Sequence, residues 1–215
     1  MTERPIIFSG PMIRAMLDAR KTQTRRILKP QPVINEAGLW RVDFGKKGFA
    51  QTDHVPSALE LADALPFSPG DRLYVREAHS LHQAHGQDRI DDKRWGSWGG
   101  LPTKLSPDRK QIAYFRERFD RSGHGKWRPS IHMPRWASRL TLTVTNVRVE
   151  RLQAITRGDA MSEGCPFPNM AKGPNPCDWF SQLWDEINGT GAWAADPWVV
   201  AVRFEVSHSN IDHNE

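Results

Sequence analysis

The sequence is short of cysteine and of long apolar runs. Its 215 residues include two cysteines, Cys165 and Cys177, which are too few for a disulfide framework. We expect both to be reduced, as in cytoplasmic proteins. No apolar run approaches the roughly 18 residues that a membrane-spanning helix needs, and the first residues lack the apolar stretch of a secretion signal. The sequence therefore predicts a cytoplasmic protein that does not contact membranes.

Charge of one sign is not strongly in excess. The chain has 30 lysines and arginines against 25 aspartates and glutamates, a formal net charge of +5 and a sequence pI of about 9.5. This mild excess permits a nucleotide or nucleic-acid partner without requiring one. Nine tryptophans against two tyrosines is an unusual ratio. We interpret most of the tryptophans as core or loop anchors, with stacking on nucleic-acid bases as the alternative.

Apolar periodicity predicts several strands and a few helices. Strands are predicted at 5–8, 22–28, 72–76, 140–149 and 198–206. Helices are predicted at 12–20, 57–65, 156–163 and 179–188, of which the third begins with a capping box. Residues 31–69 are expected to form an irregular connection. Residues 79–130 are expected to form a long loop-rich insertion, within which 112–119 is either a strand or a short helix.

The most informative segment follows the first predicted helix. It reads Ala19-Arg20-Lys21-Thr22-Gln23-Thr24-Arg25-Arg26, so that one amine, two hydroxyls and three guanidinium groups lie close together. The amine of Lys21 is suited to act as a base, a nucleophile or an anion anchor, and arginines bind phosphate or carboxylate groups. The alternative is a solvated basic helix end, where positive charge suits the helix dipole.

Four segments resemble ASCH-domain proteins of the PUA-like superfamily, in particular the large versions found in phage and prophage genomes. The first is the segment at 19–26, which is similar to the family motif Gly-x-Lys-x-x-Glu-x-Arg. The others are the Gly-Asp turn into a strand at 69–75, the strand and short helix at 147–163, and the closing strand at 197–206. The resemblance implies an α+β fold built on a small mixed β-barrel of the PUA-like (ASCH) type with flanking helices.

Two departures from the family motif point to one branch of the family. Ala19 stands in place of the motif glycine, and Thr24 stands in place of the motif glutamate. The sequence Lys-Thr-x-Thr at this position is similar to that of small bacterial amidohydrolases, which remove the acetyl group from N4-acetylcytidine. The resemblance implies a catalytic set of Lys21, Thr24 and Glu163, the last of these on the short helix after the long strand.

Amide hydrolysis needs a nucleophile, a base that deprotonates it and donors for the developing oxyanion. Thr24 is the candidate nucleophile, but its hydroxyl is inert at neutral pH without an adjacent base. Lys21 fits the base if burial and the neighbouring arginines lower its pKa. Glu163 then orients the lysine, activates water or protonates the leaving amine. We assign substrate binding to four further residues, Arg25, Arg26, Arg76 and Trp136.

Each assignment has a plainer alternative. Thr24 also suits an ordinary strand, and Glu163 also suits an exposed helix end. Glu77 competes with Glu163 as the site carboxylate, unless it forms a surface pair with Arg76. The tryptophans of residues 127–136 either stack on a base or pin a structured loop.

Metal and cofactor binding are not expected. His79, His82 and His85 recur at every third position, yet this spacing matches no standard zinc motif. We predict neither a metal nor an organic cofactor.

The predicted organisation is a single ASCH/PUA-like domain over residues 1–206, with insertions at about 31–66 and 79–130 and a frayed polar tail at 207–215. The predicted function is an amidohydrolase acting on an acylated or otherwise modified pyrimidine nucleoside or base, such as N4-acetylcytidine. The alternatives are a non-catalytic module that binds RNA or DNA, and a ribonuclease of the ASCH type. The expected partner is a modified nucleoside or a nucleic acid, and the oligomeric state stays open.

Overall fold

The computed structural model describes residues 2–43, 49–54, 65–84, 103–119, 126–167 and 174–213. Its strands are β1 (Glu3–Ile7), β2 (Gln23–Ile27), β3 (Val33–Ile34), β4 (Trp40–Asp43), β5 (Phe49–Thr52), β6 (Arg72–Arg76), β7 (His79–Gln83), β8 (Thr103–Leu105), β9 (Gln111–Phe115), β10 (Thr141–Arg151) and β11 (Trp198–Ser207). Its α-helices are α1 (Gly10–Leu17), α2 (Arg157–Ser162) and α3 (Pro176–Asn188), and short 3₁₀ turns lie at Ser130–His132, Arg135–Ala137 and Leu152–Ala154.

The chain divides into two compact units, each built from separate stretches of sequence. Unit 1 combines residues 19–71 with residues 143–205, and unit 2 combines residues 2–18, 72–142 and 206–215. The organisation as a single domain over residues 1–206 stays a prediction. The candidate catalytic residues Lys21, Thr24 and Glu163 all belong to unit 1.

In unit 1, strands β10, β11 and β2 are hydrogen-bonded neighbours in that order. Strands β11 and β2 run antiparallel, with Ala201 opposite Arg25 and Val202 opposite Thr24. Because side chains alternate between the two faces of a strand, Gln23 and Arg25 share one face of β2 and Thr24 lies on the other. The first half of β11 is buried and apolar, so β2 brings polar side chains beside an apolar strand.

The core of unit 1 includes residues from α2, α3 and β11. Its buried members are Leu152, Ile155, Ala160, Phe180, Trp184 and Val199. Asn175 caps α3 by accepting a hydrogen bond from the Cys177 backbone amide, and Gly189 ends the helix at a φ of 102°. The apolar stripe predicted for this helix is confirmed at Phe180 and Trp184, which are buried in the core, but not at its end, because Ile187 is 50% exposed.

The first predicted insertion contains a small sheet. Strands β3, β4 and β5 pair antiparallel, with Val33 opposite Arg41 and Arg41 opposite Gln51. The expectation of an irregular connection is therefore wrong for residues 33–34, 40–43 and 49–52. These strands are short, and pairing between strands stabilises them more than any period in their sequence indicates. The helix predicted at 57–65 lies outside the described residues except for its last position.

In unit 2, strands β1 and β6 pair in parallel, with Ile6 opposite Val75. Strands β7, β9 and β8 form an antiparallel sheet in that order. A loop-rich insertion was expected at residues 79–130, but the described parts of this range contain a sheet. Residues 112–119 were expected to be a strand or a short helix, and β9 forms a strand there up to Phe115. Side chains of β9 contribute to a small core, whose buried members are Ala113, Phe115, Met133 and Ala137.

The tail of unit 2 is ordered by a buried asparagine. Asn210 is 3% exposed, and its side-chain amide donates hydrogen bonds to the carbonyl oxygens of Arg135, Trp136 and Ser138. Ile211 beside it is also buried. The expectation of a frayed tail from residue 207 is therefore wrong up to Ile211. The tail is polar in composition, but the amide of its Asn210 hydrogen-bonds to three backbone carbonyl oxygens.

The protein is a mixed α+β protein made mostly of sheets, with few helices, as predicted at this coarse level. Within the described residues no sheet closes on itself, so the predicted barrel is not seen. Every helix of the described chain is too short or too polar to cross a bilayer. Cys165 and Cys177 are both free thiols.

Candidate active site

Lys21 and Glu163 form a buried ion pair in unit 1. The Lys21 Nζ lies 2.9 Å from Oε2 of Glu163 and donates a second hydrogen bond of 2.9 Å to the Glu163 carbonyl oxygen. The two side chains are 0% and 2% exposed. An isolated antiparallel bridge joins the two backbones, and Thr22 donates its amide to the Ser162 carbonyl oxygen at 2.8 Å. The structure therefore brings these two candidate residues together, and the alternative of an exposed helix-end acid is wrong for Glu163.

Helix α2 carries Glu163 to this position. The predicted capping box is confirmed: Thr156 accepts a hydrogen bond from the Asp159 amide, and Asp159 accepts from the Thr156 amide. Burial alone would raise the pKa of Asp159, but hydrogen bonds from Thr156 and Arg148 and the charge of Arg25 lower that pKa to about 2. Glu163 follows as the C-cap residue, its amide bonded to the Asp159 carbonyl oxygen. The capped helix therefore fixes where the Glu163 carboxylate lies.

The guanidinium of Arg25 contacts three carboxylates. Its Nη1 lies 3.1 Å from Oε1 of Glu163, and its Nη2 lies 2.6 Å from Oε1 of Glu150. Oδ2 of Asp159 is 3.4 Å from the same Nη2. The Arg25 side chain has no exposed surface. Removing it would therefore leave several carboxylates without their positive partner in a poorly solvated place.

Arg148 extends this arrangement towards the surface. Its Nε lies 3.2 Å from Oε2 of Glu150, and its Nη2 lies 3.2 Å from Oδ1 of Asp159. We call the six residues together the charge network, with the members Lys21, Arg25, Arg148, Glu150, Asp159 and Glu163. Equal numbers of cations and anions make the network balanced, so its carboxylates have positive partners without a bound ion.

Burial changes the proton affinity of the lysine in this network. Desolvation lowers the pKa of Lys21 from its ordinary value of 10.5, while the charge and hydrogen bond of Glu163 oppose this effect. The positive charges of Arg26 and Arg25 lower the Lys21 pKa further. An amine with a lowered pKa is able to accept a proton nearer neutral pH, as a general base must.

Thr24 and Arg26 lie on β2 beside the ion pair. Thr24 is buried opposite Val202, and in the described part of the chain its hydroxyl makes no hydrogen bond to Lys21 or Glu163. Burial lowers the pKa of Arg26, and the charge of Glu163 partly offsets this. Arg26 is thus close enough to act electrostatically on both members of the pair, and Thr24 is not bonded to either.

Sequence reasoning did not single out Gln23, Arg148, Glu150 or Asp159 as site residues. Gln23 is 1% exposed, and neither its Nε2 nor its Oε1 has a hydrogen-bond partner. The available signal was the alternation Lys21-Gln23-Arg25, which predicts three polar side chains on one face of a strand. No comparable signal ties Glu150 to residues more than a hundred positions earlier.

The other predicted binding residues, Arg76 and Trp136, belong to unit 2. The Arg76 guanidinium lies over the Tyr74 ring, 5.4 Å from its centroid. Trp136 is partly buried against the small core of unit 2, which favours the loop-anchor interpretation. The part of Arg76 and Trp136 in substrate binding stays a prediction.

Glu77, the competing carboxylate, pairs with Arg139 and not with Arg76. Arg139 Nε and Nη2 lie 2.8 and 2.9 Å from its two oxygens. Burial raises the pKa of Glu77, and the Arg139 hydrogen bonds and charge oppose that rise. A clamped carboxylate of this kind is a structural ion pair.

The predicted histidine series does not assemble a metal site in the part of the chain that is described. His79 is buried and its Nδ1 lies 3.2 Å from the Glu77 carbonyl oxygen, while His82 Nε2 lies 2.9 Å from the Ser80 hydroxyl. His85 lies outside the described residues. 

Comparison with known proteins finds no family model, no curated protein and no solved structure that matches this chain. The resemblance to ASCH-domain proteins therefore stays a prediction from the motifs alone. The geometry around Lys21 and Glu163 is therefore the main support for a function.

Proposed function

We propose that the protein is an amidohydrolase that removes an acyl group from a modified pyrimidine nucleoside or base, with N4-acetylcytidine as the reference substrate. The observation that carries the proposal is the buried pair of Lys21 and Glu163, whose side-chain atoms lie 2.9 Å apart. A lysine whose pKa is lowered by burial, held by a carboxylate, is suited to proton transfer. The resemblance in the Lys-Thr-x-Thr segment supplies the substrate class.

In the proposed reaction, the neutral Lys21 amine takes a proton from a water molecule. The water oxygen bonds to the amide carbon as the proton leaves, and the carbonyl electron pair moves onto the carbonyl oxygen. When the carbon–nitrogen bond breaks, its electrons go to the exocyclic nitrogen of the pyrimidine, which receives the proton from the Lys21 ammonium. The products are a carboxylic acid and the free amine, and Lys21 returns to its neutral form.

Three neighbours assist the lysine in this scheme. Glu163 holds the ammonium that forms during the reaction, through the 2.9 Å contact described above. Arg26 supplies positive charge near the pair, which favours the oxyanion. Thr24 donates its hydroxyl hydrogen to the oxyanion. Each of these roles is available without a metal or an organic cofactor.

Hydrolysis of N4-acetylcytidine by the purified protein tests the proposal, with Lys21→Met and Glu163→Gln measured beside it. We expect turnover by the wild type and loss of turnover in Lys21→Met, because no other described group replaces the base. Lys29→Met is the matched control, since Lys29 is exposed two residues beyond the end of β2. Circular dichroism checks that each variant is folded. Absence of wild-type turnover, or full turnover by folded Lys21→Met, would overturn the proposal.

A nucleic-acid-binding module is the second candidate function. The observation in its favour is in unit 2, where the guanidiniums of Arg76 and Arg135 lie 5.4 and 5.3 Å from the Tyr74 ring centroid. Binding through such groups weakens steeply with salt. An RNA affinity that falls with salt and is reduced in Arg76→Ala supports this candidate, and salt-independent or absent binding removes it. Cleavage of the RNA in the same assay tests the ribonuclease alternative.

A further inference from the structure

We propose that Gln23 recognises the substrate base by pairing with an edge that presents a hydrogen-bond acceptor beside a hydrogen-bond donor. This inference rests on the proposed amidohydrolase function and names the feature that distinguishes its substrate from other amides. The ligand class is an N-acylated aminopyrimidine, in which the ring nitrogen accepts and the exocyclic N–H donates.

The polar atoms of Gln23 are buried and unused in the described protein. The residue is 1% exposed, and both Nε2 and Oε1 lack a hydrogen-bond partner. A buried amide without partners destabilises the folded state, and the great majority of buried polar side-chain groups are paired. An unpaired donor and an unpaired acceptor on one side chain therefore call for a ligand that satisfies both.

The position of Gln23 favours a ligand at the active site. It lies between Lys21 and Arg25 on β2, and alternation puts it on the same strand face as Arg25. The Arg25 guanidinium is occupied by Glu163, Glu150 and Asp159. The Arg25 Nε also has no partner, and Gln23 is the residue of that face whose side chain has both a donor and an acceptor unpaired.

Asp159 does not account for Gln23. The Gln23 amide helps to lower the pKa of Asp159, but neither of its polar atoms reaches hydrogen-bonding geometry with it. Oδ1 of Asp159 is bonded to Arg148, and Oδ2 is bonded to Thr156. Each of the two oxygens therefore has a donor other than Gln23.

The chemistry of a primary carboxamide determines what fits. Its N–H and C=O groups point side by side, so two hydrogen bonds form with an adjacent acceptor and donor, as when glutamine reads an adenine edge. In N4-acetylcytidine the ring N3 is the acceptor and the N4–H is the donor. Pairing there would leave the acetyl carbonyl on the side of N4 away from the paired edge.

Shielding from solvent makes this recognition selective. A base that enters the site gives up its water, so an edge without the acceptor leaves the Gln23 N–H unpaired and loses its own hydration. Sites built around such hydrogen bonds reject analogues that lack one partner far more strongly than apolar pockets reject small changes of size. Ordinary acetamides, such as an acetylated lysine side chain, lack the ring nitrogen and are expected to be poor substrates.

The test compares N4-acetylcytidine with its 3-deaza analogue, in which a C–H group replaces the accepting nitrogen. For the wild type we expect kcat/KM to fall by about tenfold or more with the analogue, the discrimination of one good bidentate contact. Gln23→Met has nearly the same size and no amide, so it is expected to treat the two compounds alike. Gln111→Met is the matched control, since Gln111 is exposed in unit 2.

Equal kcat/KM for the two compounds with the wild type overturns the inference and leaves the amidohydrolase function intact. That outcome needs no variant, so it holds even if Gln23→Met does not fold. If the wild type hydrolyses neither compound, the amidohydrolase function fails, and calorimetry with cytidine then decides about Gln23. Weaker cytidine binding to folded Gln23→Met, or weaker binding of 3-deazacytidine to the wild type, supports the inference. Absent binding, or equal affinities in these comparisons, overturns it.

Discussion

The Lys21 Nζ and the Glu163 Oε2 lie 2.9 Å apart, although 142 positions separate the two residues in the chain. The contact is shielded from solvent on both sides. A buried charge pair of this kind contributes little to stability compared with well-packed apolar side chains, because desolvation offsets the attraction between its charges. A gain in stability therefore does not explain the pair, whereas the proposed proton transfer gives it a role.

Activity is expected to increase with pH through the pKa of Lys21, at a pH below 10.5. Burial lowers this pKa, and only the neutral amine accepts a proton. Arg26→Gln removes a positive charge that contributes to the lowering, so its profile is expected to shift towards higher pH. The measurement is kcat/KM against pH for the wild type and Arg26→Gln. If the profile of Arg26→Gln is not shifted, the ionisation that controls kcat/KM is not that of Lys21.

The same pKa predicts how stability depends on pH. In the unfolded chain Lys21 holds its proton up to about pH 10.5, whereas the folded chain releases it at a lower pH. Between those two values the unfolded state binds more protons, so the free energy of unfolding rises with pH. Urea unfolding across this window is expected to show a smaller rise for Lys21→Met than for the wild type.

Thr24→Val is expected to lower kcat by about 10²–10³-fold, the usual cost of one oxyanion donor, and to leave KM nearly unchanged. The reason is that water is the nucleophile in the proposed reaction and the Thr24 hydroxyl serves the oxyanion. Mass spectrometry of the enzyme stopped during turnover is expected to show no acyl group on Thr24. An acyl-Thr24 species would instead make the threonine the nucleophile.

Replacing Arg25 is expected to destabilise unit 1 strongly. Arg25→Met leaves the carboxylates of Glu163, Glu150 and Asp159 without their shared cation, at a cost of about 3–5 kcal/mol in the free energy of unfolding. Arg25→Lys keeps the charge without the forked geometry and is expected to lose less. Chemical denaturation measures both. Arg203→Met is the control, because Arg203 is exposed on β11 and should change stability by only about 0.5 kcal/mol or less.

Ala19→Gly is expected to stabilise the protein by roughly 0.5–1 kcal/mol. Ala19 adopts a φ of 55°, a left-handed conformation that costs an L-residue with a Cβ about 1–2 kcal/mol. Glycine removes that strain, and its greater freedom in the unfolded chain cancels part of the gain. Thermal unfolding measures the effect, and Ala19→Val should change stability in the opposite direction.

Local signals predicted part of the fold. The capping box of Thr156 and Asp159 and the apolar stripe of α3 depend on neighbours within one or two helical turns, so the sequence carries them directly. Strands such as β3 and β8 are two and three residues long and depend on pairing with β4 and β9. Both pairings join neighbouring segments, but strands this short have too few residues to show a period in the sequence.

The candidate site likewise combines contacts that could be predicted from the sequence with contacts that could not. The approach of Lys21 to Glu163 was predictable only from the resemblance, which aligned the short helix with a known motif. The contact of Arg25 with Glu150 and Asp159 spans more than a hundred positions, and each of these residues alone is typical of a solvated surface. Gln23 was not predicted as a site residue, because its amide has no charge and matches no catalytic motif.

Unit 1 is assembled from two stretches of sequence, residues 19–71 and 143–205. Synthesis proceeds from the amino end at about 5–20 residues per second, so Lys21 leaves the ribosome many seconds before Glu163 exists. During that interval the lysine stays hydrated, with an ordinary proton affinity and no carboxylate partner. A chain whose synthesis stops short of α2 therefore has the Lys21 segment without its carboxylate partner, and the buried pair forms only as the second stretch joins the first.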